Sequence, residues 1–335
     1  MRPQGHRSVG VLAALAVTGL FVGWIGLSVG GAWSVKVFDD LVTALAALVA
    51  ALACFRAGRV HRGQLRRFWF LLSAATMAWT AAEVIWAVYD LVLRVAVPVP
   101  SWADLGYLSA VPLAAAALLV HPAMHSARPY QTRAIMDGIV LATALFFLSW
   151  SFVLGPLWRR SDLTSLGGLV AVAYPFGDIV VAFLVVLVLR ATREGDKFAL
   201  WCVLGGLAAM AVSDSTYTYM VEAGRFTTGH LMDTGWVVAY LSLALGGFGS
   251  SEEEAVKVAP AGMPASGTAL VAPFLPMLVA LLTLAIEVAL GRALPLSDWL
   301  IALDLTLLVL ARQVLFFFDE FTRAKRLRAG GAEPA

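Results

Sequence analysis

"FALWCVLGGLAAMAVSDSTYTYM" (198–220) is apolar for most of its length and finishes on one carboxylate among serines, threonines and tyrosines. Its length decides the fold. A helix needs about 20 apolar residues to cross the hydrocarbon core, and this stretch supplies them in one run. Nine further segments repeat the pattern, giving expected spans at 9–29, 37–56, 68–93, 103–121, 135–157, 166–190, 198–220, 230–248, 269–290 and 297–318. The expected fold is an all-α polytopic membrane protein of about ten transmembrane helices.

Composition agrees. Of 335 residues, 60% are hydrophobic and 14% charged, against roughly 25% charged in an average soluble domain; mean hydropathy is +0.83. The formal net charge of +2 offers no basic excess for nucleic acid, and none is expected as a partner. Cys54 and Cys202 fall within apolar runs, where a thiol acts as a small hydrophobe, so we expect no disulfide. The run from Val9 follows Arg2 and Arg7 as a signal peptide would, but its length and the many spans behind it favour an uncleaved first helix.

The loop "RAGRVHRGQLRR" (56–67) carries five arginines, and positive loops stay in the cytoplasm. Ten spans then place both termini inside, in a bacterial plasma membrane. Trp33, Trp102, Trp158 and Trp299 fall at the outer interface and Trp69 and Trp201 at the inner one. Gly19, Gly23, Gly26 and Gly30 give the first helix one glycine face for close approach to a neighbour. Pro112, Pro175, Pro273 and Pro276 lie within spans, where each removes a backbone donor.

The polar finish at 213–219 has a counterpart in "AAEVIWAVY" (81–89). In both, a carboxylate (Glu83, Asp214) is followed three residues later by an aromatic (Trp86, Tyr217) on the same helical face. Downstream, "ADLGYLSA" (103–110) matches "MDTGWVVA" (232–239): an Asp, one residue, a Gly, then an aromatic. A looser pair sets Asp178 and Arg190 beside Asp298 and Arg312. These matches suggest two parallel four-helix repeats, 68–197 and 198–320, after two extra helices (9–67), with a flexible linker at 249–267 and a short basic cytoplasmic tail at 321–335.

Asp104, Asp233 and Asp298 open helices, where an acidic N-cap satisfies free backbone donors. Glu83, Asp178 and Asp214 lie within spans, where charge is expensive and marks a bundle interior or wet cavity. The candidate ligand-binding residues are Glu83, Trp86, Tyr89, Asp104, Asp178, Asp214, Tyr217, Asp233 and Asp304. The hydroxyls around Asp214 are expected to line a pocket open to the outer side, with Glu83, Trp86 and Tyr89 opposite. His121 and His125 form H-x-x-x-H, but Pro122 interrupts the helix that a metal pair would need. No Walker loop, GxSxG elbow, paired CxxC or dinucleotide fingerprint occurs, so neither cofactor nor catalytic residue is expected.

The stretches "PSWADLGYLSAVPL" (100–113), "MDGIVLATALFFLSWSFVLGPL" (136–157), "AYPFGDIVVAFLVVLVL" (173–189) and "LMDTGWVVAYLSLALG" (231–246) resemble the multi-pass N-terminal sensory region of actinobacterial membrane proteins with GGDEF and EAL domains. No GGDEF or EAL motif is present, and the tail is too short for a catalytic domain, so the resemblance implies a sensory or scaffold role without cyclic-dinucleotide chemistry. The expected function is a non-enzymatic, sensor-like membrane protein. Its partners are the lipid bilayer, a cytoplasmic signalling protein met through the C-terminal helix, and a second copy of the chain. The alternatives are a proton- or cation-coupled small-molecule transporter and an intramembrane lipid-modifying enzyme.

Overall fold

The structure is a computed structural model and describes residues 3–125, 128–151, 155, 165–191, 198–222, 224–250, 274–291 and 295–330. Among them are ten α-helices and no strand. The helices are α1 (Pro3–Gly26), α2 (Gly31–Val60), α3 (Gly63–Ala87), α4 (Trp102–Val120) and α5 (Arg128–Ser149), then α6 (Leu166–Ala191), α7 (Phe198–Glu222), α8 (Thr234–Gly249), α9 (Phe274–Ala289) and α10 (Leu296–Gly330). Each overlaps one expected span. Only helices satisfy every backbone polar group within a single segment in lipid, which is why apolar runs of this length adopt them. Seven helices, α1 to α4 and α6 to α8, are long and apolar enough to cross a membrane; α5 and α9 carry shorter apolar stretches, Gly138–Ser149 and Leu278–Ala289. The chain is an all-α integral membrane protein.

The chain divides into two compact units. The first, Met1–Ser126 with Phe152–Ala259, holds all seven of the long apolar helices. The second, Ala127–Ser151 with Pro260–Ala335, holds α5, α9 and α10. This grouping cuts across the division at 68–197 and 198–320 read from the sequence. The linker expected at 249–267 falls almost entirely outside the described residues.

Six helices of the first unit pack in a closed ring. Each meets the next in the order α2, α3, α4, α6, α7, α8, and α8 returns to α2. Round the ring α2–α3–α4 is therefore followed by α6–α7–α8, so the hairpins α3–α4 and α7–α8, which carry the matched motifs, are separated by one helix on either side. α1 lies outside the ring against α8 and α2, burying Phe21 and Ile25 on Val35 and Val237, with Trp24 stacked on Phe38 at 4.6 Å. The expected close approach through the glycine face of α1 is absent: a Cβ at Gly19 or Gly23 would meet nothing within 4 Å. Large apolar side chains such as Leu41, Leu45 and Leu52 on α2 and Leu169 and Phe176 on α6 are exposed on the ring's outer surface, as lipid-facing positions are.

The two motif glycines have a packing reason. A Cβ at Gly106 would sit 2.8 Å from the Ala78 carbonyl oxygen, and one at Gly235 would overlap Ser213 Oγ, so in each hairpin the second helix lies close against the first at its glycine. The Asp two residues before each glycine completes a capping box, Ser101 with Asp104 and His230 with Asp233. The acid at this third position reaches back to free backbone N–H groups. Asp104 thus caps α4 from its N3 position, while Asp233 caps the 3-10 turn Leu231–Asp233 and stands as the N-cap residue of α8 without a side-chain bond to that helix.

Charge is divided between the ends of the ring. At one end Arg7 donates to the Gly249 carbonyl at 3.0 Å and lies over the Phe198 ring, while Arg59 and Arg66 cover Phe55 and Phe70. Trp69, expected at that membrane interface, is instead 2% exposed, packed edge-on to Phe68. The carboxylates gather at the other end, where α2, α4, α6 and α8 begin and α3 and α7 finish.

In the second unit, Val140, Ala144 and Phe147 of α5 pack on Ala280 of α9 and on Ala302, Leu305 and Val309 of α10. The Trp150 indole donates to Ser297 Oγ at 3.0 Å, beside buried Asp298.

Candidate ligand cavity

At the carboxylate end the ring encloses a cavity of about 490 Å³, with side chains from all six helices in its wall. That volume lies within the roughly 300–1,000 Å³ of small-molecule sites.

Each motif hairpin supplies a carboxyl and the motif aromatic. In α3–α4, Glu83 and Tyr107, the aromatic of the D-x-G-aromatic motif, both stand in the wall; in α7–α8, the corresponding Trp236 donates its indole N–H to Asp214 Oδ1 at 2.7 Å. Tyr240 of α8 donates its hydroxyl to Glu83 Oε1 at 2.8 Å. The aromatics three residues beyond the carboxylates meet across the site. Trp86 and Tyr217 pack edge to face with centroids 6.1 Å apart, and Tyr217 also touches Phe226 and Trp236.

The capping acids belong to the wall as well. Asp104 Oδ2 accepts from the Ser101 N–H and hydroxyl, while Oδ1 accepts the Tyr174 hydroxyl from α6. Asp233 Oδ2 accepts the Gly229 and His230 N–H groups at 3.0 and 2.8 Å. Asp39 of α2 accepts the same Gly229 N–H at 2.8 Å, so the Asp39 and Asp233 carboxyls lie side by side. Both side chains are buried, and Oδ1 of each receives no hydrogen bond; the same holds for Oδ2 of Asp40 and Asp178.

The cavity brings together Glu83, Trp86, Asp104, Asp178, Asp214, Tyr217 and Asp233 of the expected residues. Tyr89 is not in its wall; it lies in the π-helical turn Val88–Leu93 that follows α3. Asp304 belongs to the second unit, exposed on α10. Of the polar stretch that finishes α7, only Asp214, Tyr217 and Thr218 line the cavity. Ser213, Thr216 and Thr218 donate to carbonyls four residues back at 2.9, 2.7 and 2.9 Å, a local satisfaction available to hydroxyls in any helix.

Sequence reading missed Asp39, Asp40, Trp79 and Tyr174, which are all in the wall. Two adjacent aspartates at the head of an apolar run, "FDD" (38–40), were the available signal. Among the described residues no Lys, Arg or His lines the cavity. Of the described cations, Lys36 pairs with Asp90 and Arg94 lies over the Trp33 ring. Among the described residues no group of three His, Cys, Asp or Glu is placed to hold a metal ion, and both cysteines are free thiols.

No known protein family, curated protein or solved structure matches the chain.

Proposed function

We propose that the chain is a sensor-like membrane receptor that binds a small ligand inside the six-helix ring. One observation carries this: all six ring helices, from segments far apart in the chain, place polar and aromatic side chains around a single cavity. Four carboxyl groups of the wall each keep an oxygen without a donor. The arginine-rich loop at the opposite end supports a cavity facing the extracytoplasmic side, and helix α10 suits an output element. Its 35 residues span about 52 Å at ~1.5 Å per residue, well beyond a hydrocarbon core of ~30 Å. The resemblance to multi-pass sensory regions fits the same role, with the signal passed to a separate cytoplasmic partner.

The transporter reading has one observation in its favour: Pro112 and Pro175 lie inside α4 and α6, two helices of the cavity wall, and intramembrane carboxyls with prolines nearby suit moving parts. Uptake of a bound ligand into sealed vesicles separates the two.

The test of binding is a thermal-shift screen of the full chain in lipid nanodiscs, comparing wild type with Ala171→Trp, which fills the cavity wall. Ligands are expected to raise the wild-type Tm by several degrees and to leave the filled variant unmoved. A screen across cationic, neutral and anionic compounds in which none distinguishes the two proteins contradicts the proposal.

A further inference from the structure

We propose that the ligand of this cavity is an organic ammonium cation, seated with its charged group at the Asp39–Asp233 pair and its organic body against the aromatic wall. The inference rests on the reading of the ring as a ligand site and adds the chemistry of the ligand.

Among the described residues the wall contains seven carboxyl groups and no basic side chain. An anionic ligand would find acids and no cationic partner among them. The carboxyls are not equivalent. Glu83, Asp104 and Asp214 are held by tyrosine or tryptophan donors, which leaves them as fixed parts of the wall. Asp39 and Asp233 are different: 4% and 2% exposed, joined through one Gly229 N–H, each with Oδ1 unfilled. A buried acceptor without a donor is costly, and two carboxyls this close share a proton and carry one negative charge between them in a low-dielectric interior. An ammonium group, with up to three N–H donors arranged around one charge, supplies the kind of donor that this pair lacks.

The surroundings choose an organic cation over a metal ion. Among the described residues no three ligating side chains converge, so a hard divalent cation would lack the six or more oxygens that it takes. Instead, eight aromatic residues stand between the carboxyls. Aromatic faces attract organic cations and pack against their alkyl or aryl bodies, and a volume of about 490 Å³ leaves room for such a body.

The experiment is equilibrium titration of the full chain in zwitterionic nanodiscs at neutral pH, read by quenching of tryptophan fluorescence, since Trp79, Trp86 and Trp236 line the cavity. The probes are three compounds of one shape: phenethylammonium, phenethyl alcohol and hydrocinnamate. Phenethylammonium is expected to bind at least about tenfold tighter than the alcohol, as a charge-assisted bond predicts, with hydrocinnamate not binding. Asp39→Asn keeps an acceptor for the Gly229 N–H and is expected to weaken the ammonium about tenfold while leaving the alcohol unchanged. Asp40→Asn, which disturbs no bonded oxygen, serves as the second variant and is expected to weaken it less.

Equal or tighter binding of the alcohol or the carboxylate overturns the cation assignment and leaves the receptor reading intact. Displacement of phenethylammonium by calcium ion in competition overturns it in favour of a metal site. If none of the three binds while the thermal-shift screen still separates wild type from Ala171→Trp, the cation assignment alone fails; if both are silent, both fail.

Discussion

Asp104 shows how one side chain serves two purposes. Its Oδ2 completes the capping box at the head of α4, and its Oδ1 holds Tyr174 in the cavity wall. Asp104→Ala therefore removes the acceptor of a helix end and strands a tyrosine hydroxyl. We expect it to lower stability by about 1–3 kcal/mol in thermal unfolding, and Asp104→Asn, which keeps one acceptor, by less than half of that. Equal losses for the two would assign the effect to charge instead of to acceptor geometry. Asp104 and Asp233 were legible in the sequence because D-x-G-aromatic is a short local pattern. Asp39 and Asp40 were not, because acids in the first turns of a helix have an ordinary explanation in the helix dipole, and the partner that reveals Asp39 is Gly229, 190 positions away.

At the level of elements, the two motif hairpins are alike in plan and differ in how tightly they close. The neighbour of Gly106 is backbone, the Ala78 carbonyl oxygen at 2.8 Å from a built Cβ, with Ala82 Cβ at 2.9 Å; that of Gly235 is the Ser213 hydroxyl. Backbone cannot yield without moving the helix. A hydroxyl can turn, although Ser213 then loses its bond to the Ala209 carbonyl. Gly235→Ala is expected to cost about 1–3 kcal/mol and to be largely restored by Ser213→Ala. Gly106→Ala is expected to cost more, and truncation of a single neighbouring side chain does not restore it. Thermal unfolding of the two single variants and the double variant checks the contrast, and a Gly106→Ala protein as stable as wild type would contradict it. The glycines of α1 carry the opposite lesson. Their spacing is as regular as that of any packing motif, yet Gly19 and Gly23 touch nothing, since spacing reports a smooth face and not the presence of a partner.

For the whole molecule, the number and placement of the helices followed from hydrophobic run length, because in lipid the backbone has no alternative to a helix. Ring order did not follow. It depends on which faces meet, and apolar faces of Ala, Val and Leu carry little information about their neighbours when lipid is as apolar as they are. That is why α5, read as part of the first repeat, groups with α9 and α10 instead. The carboxylate and aromatic residues did carry information, since Glu83 and Asp214, paired by sequence resemblance, stand in the wall of one cavity.

The central claim is that the ring has an acid-lined interior cavity, reached from one side of the membrane, and a lipid-facing exterior. The measurement that addresses it most directly is the reactivity of single cysteines with a charged, membrane-impermeant maleimide, after Cys54 and Cys202 are replaced by serine. Thr43→Cys, Ala171→Cys and Thr218→Cys lie in the cavity wall on three different helices; Leu45→Cys, Phe176→Cys and Val212→Cys lie on the outer faces of the same three. We expect the first set to react in sealed vesicles from the side opposite the arginine loop at 56–67, and the second set to stay unlabelled from either side. Labelling of the outer set, or an inner set as inert as the outer, would contradict the account.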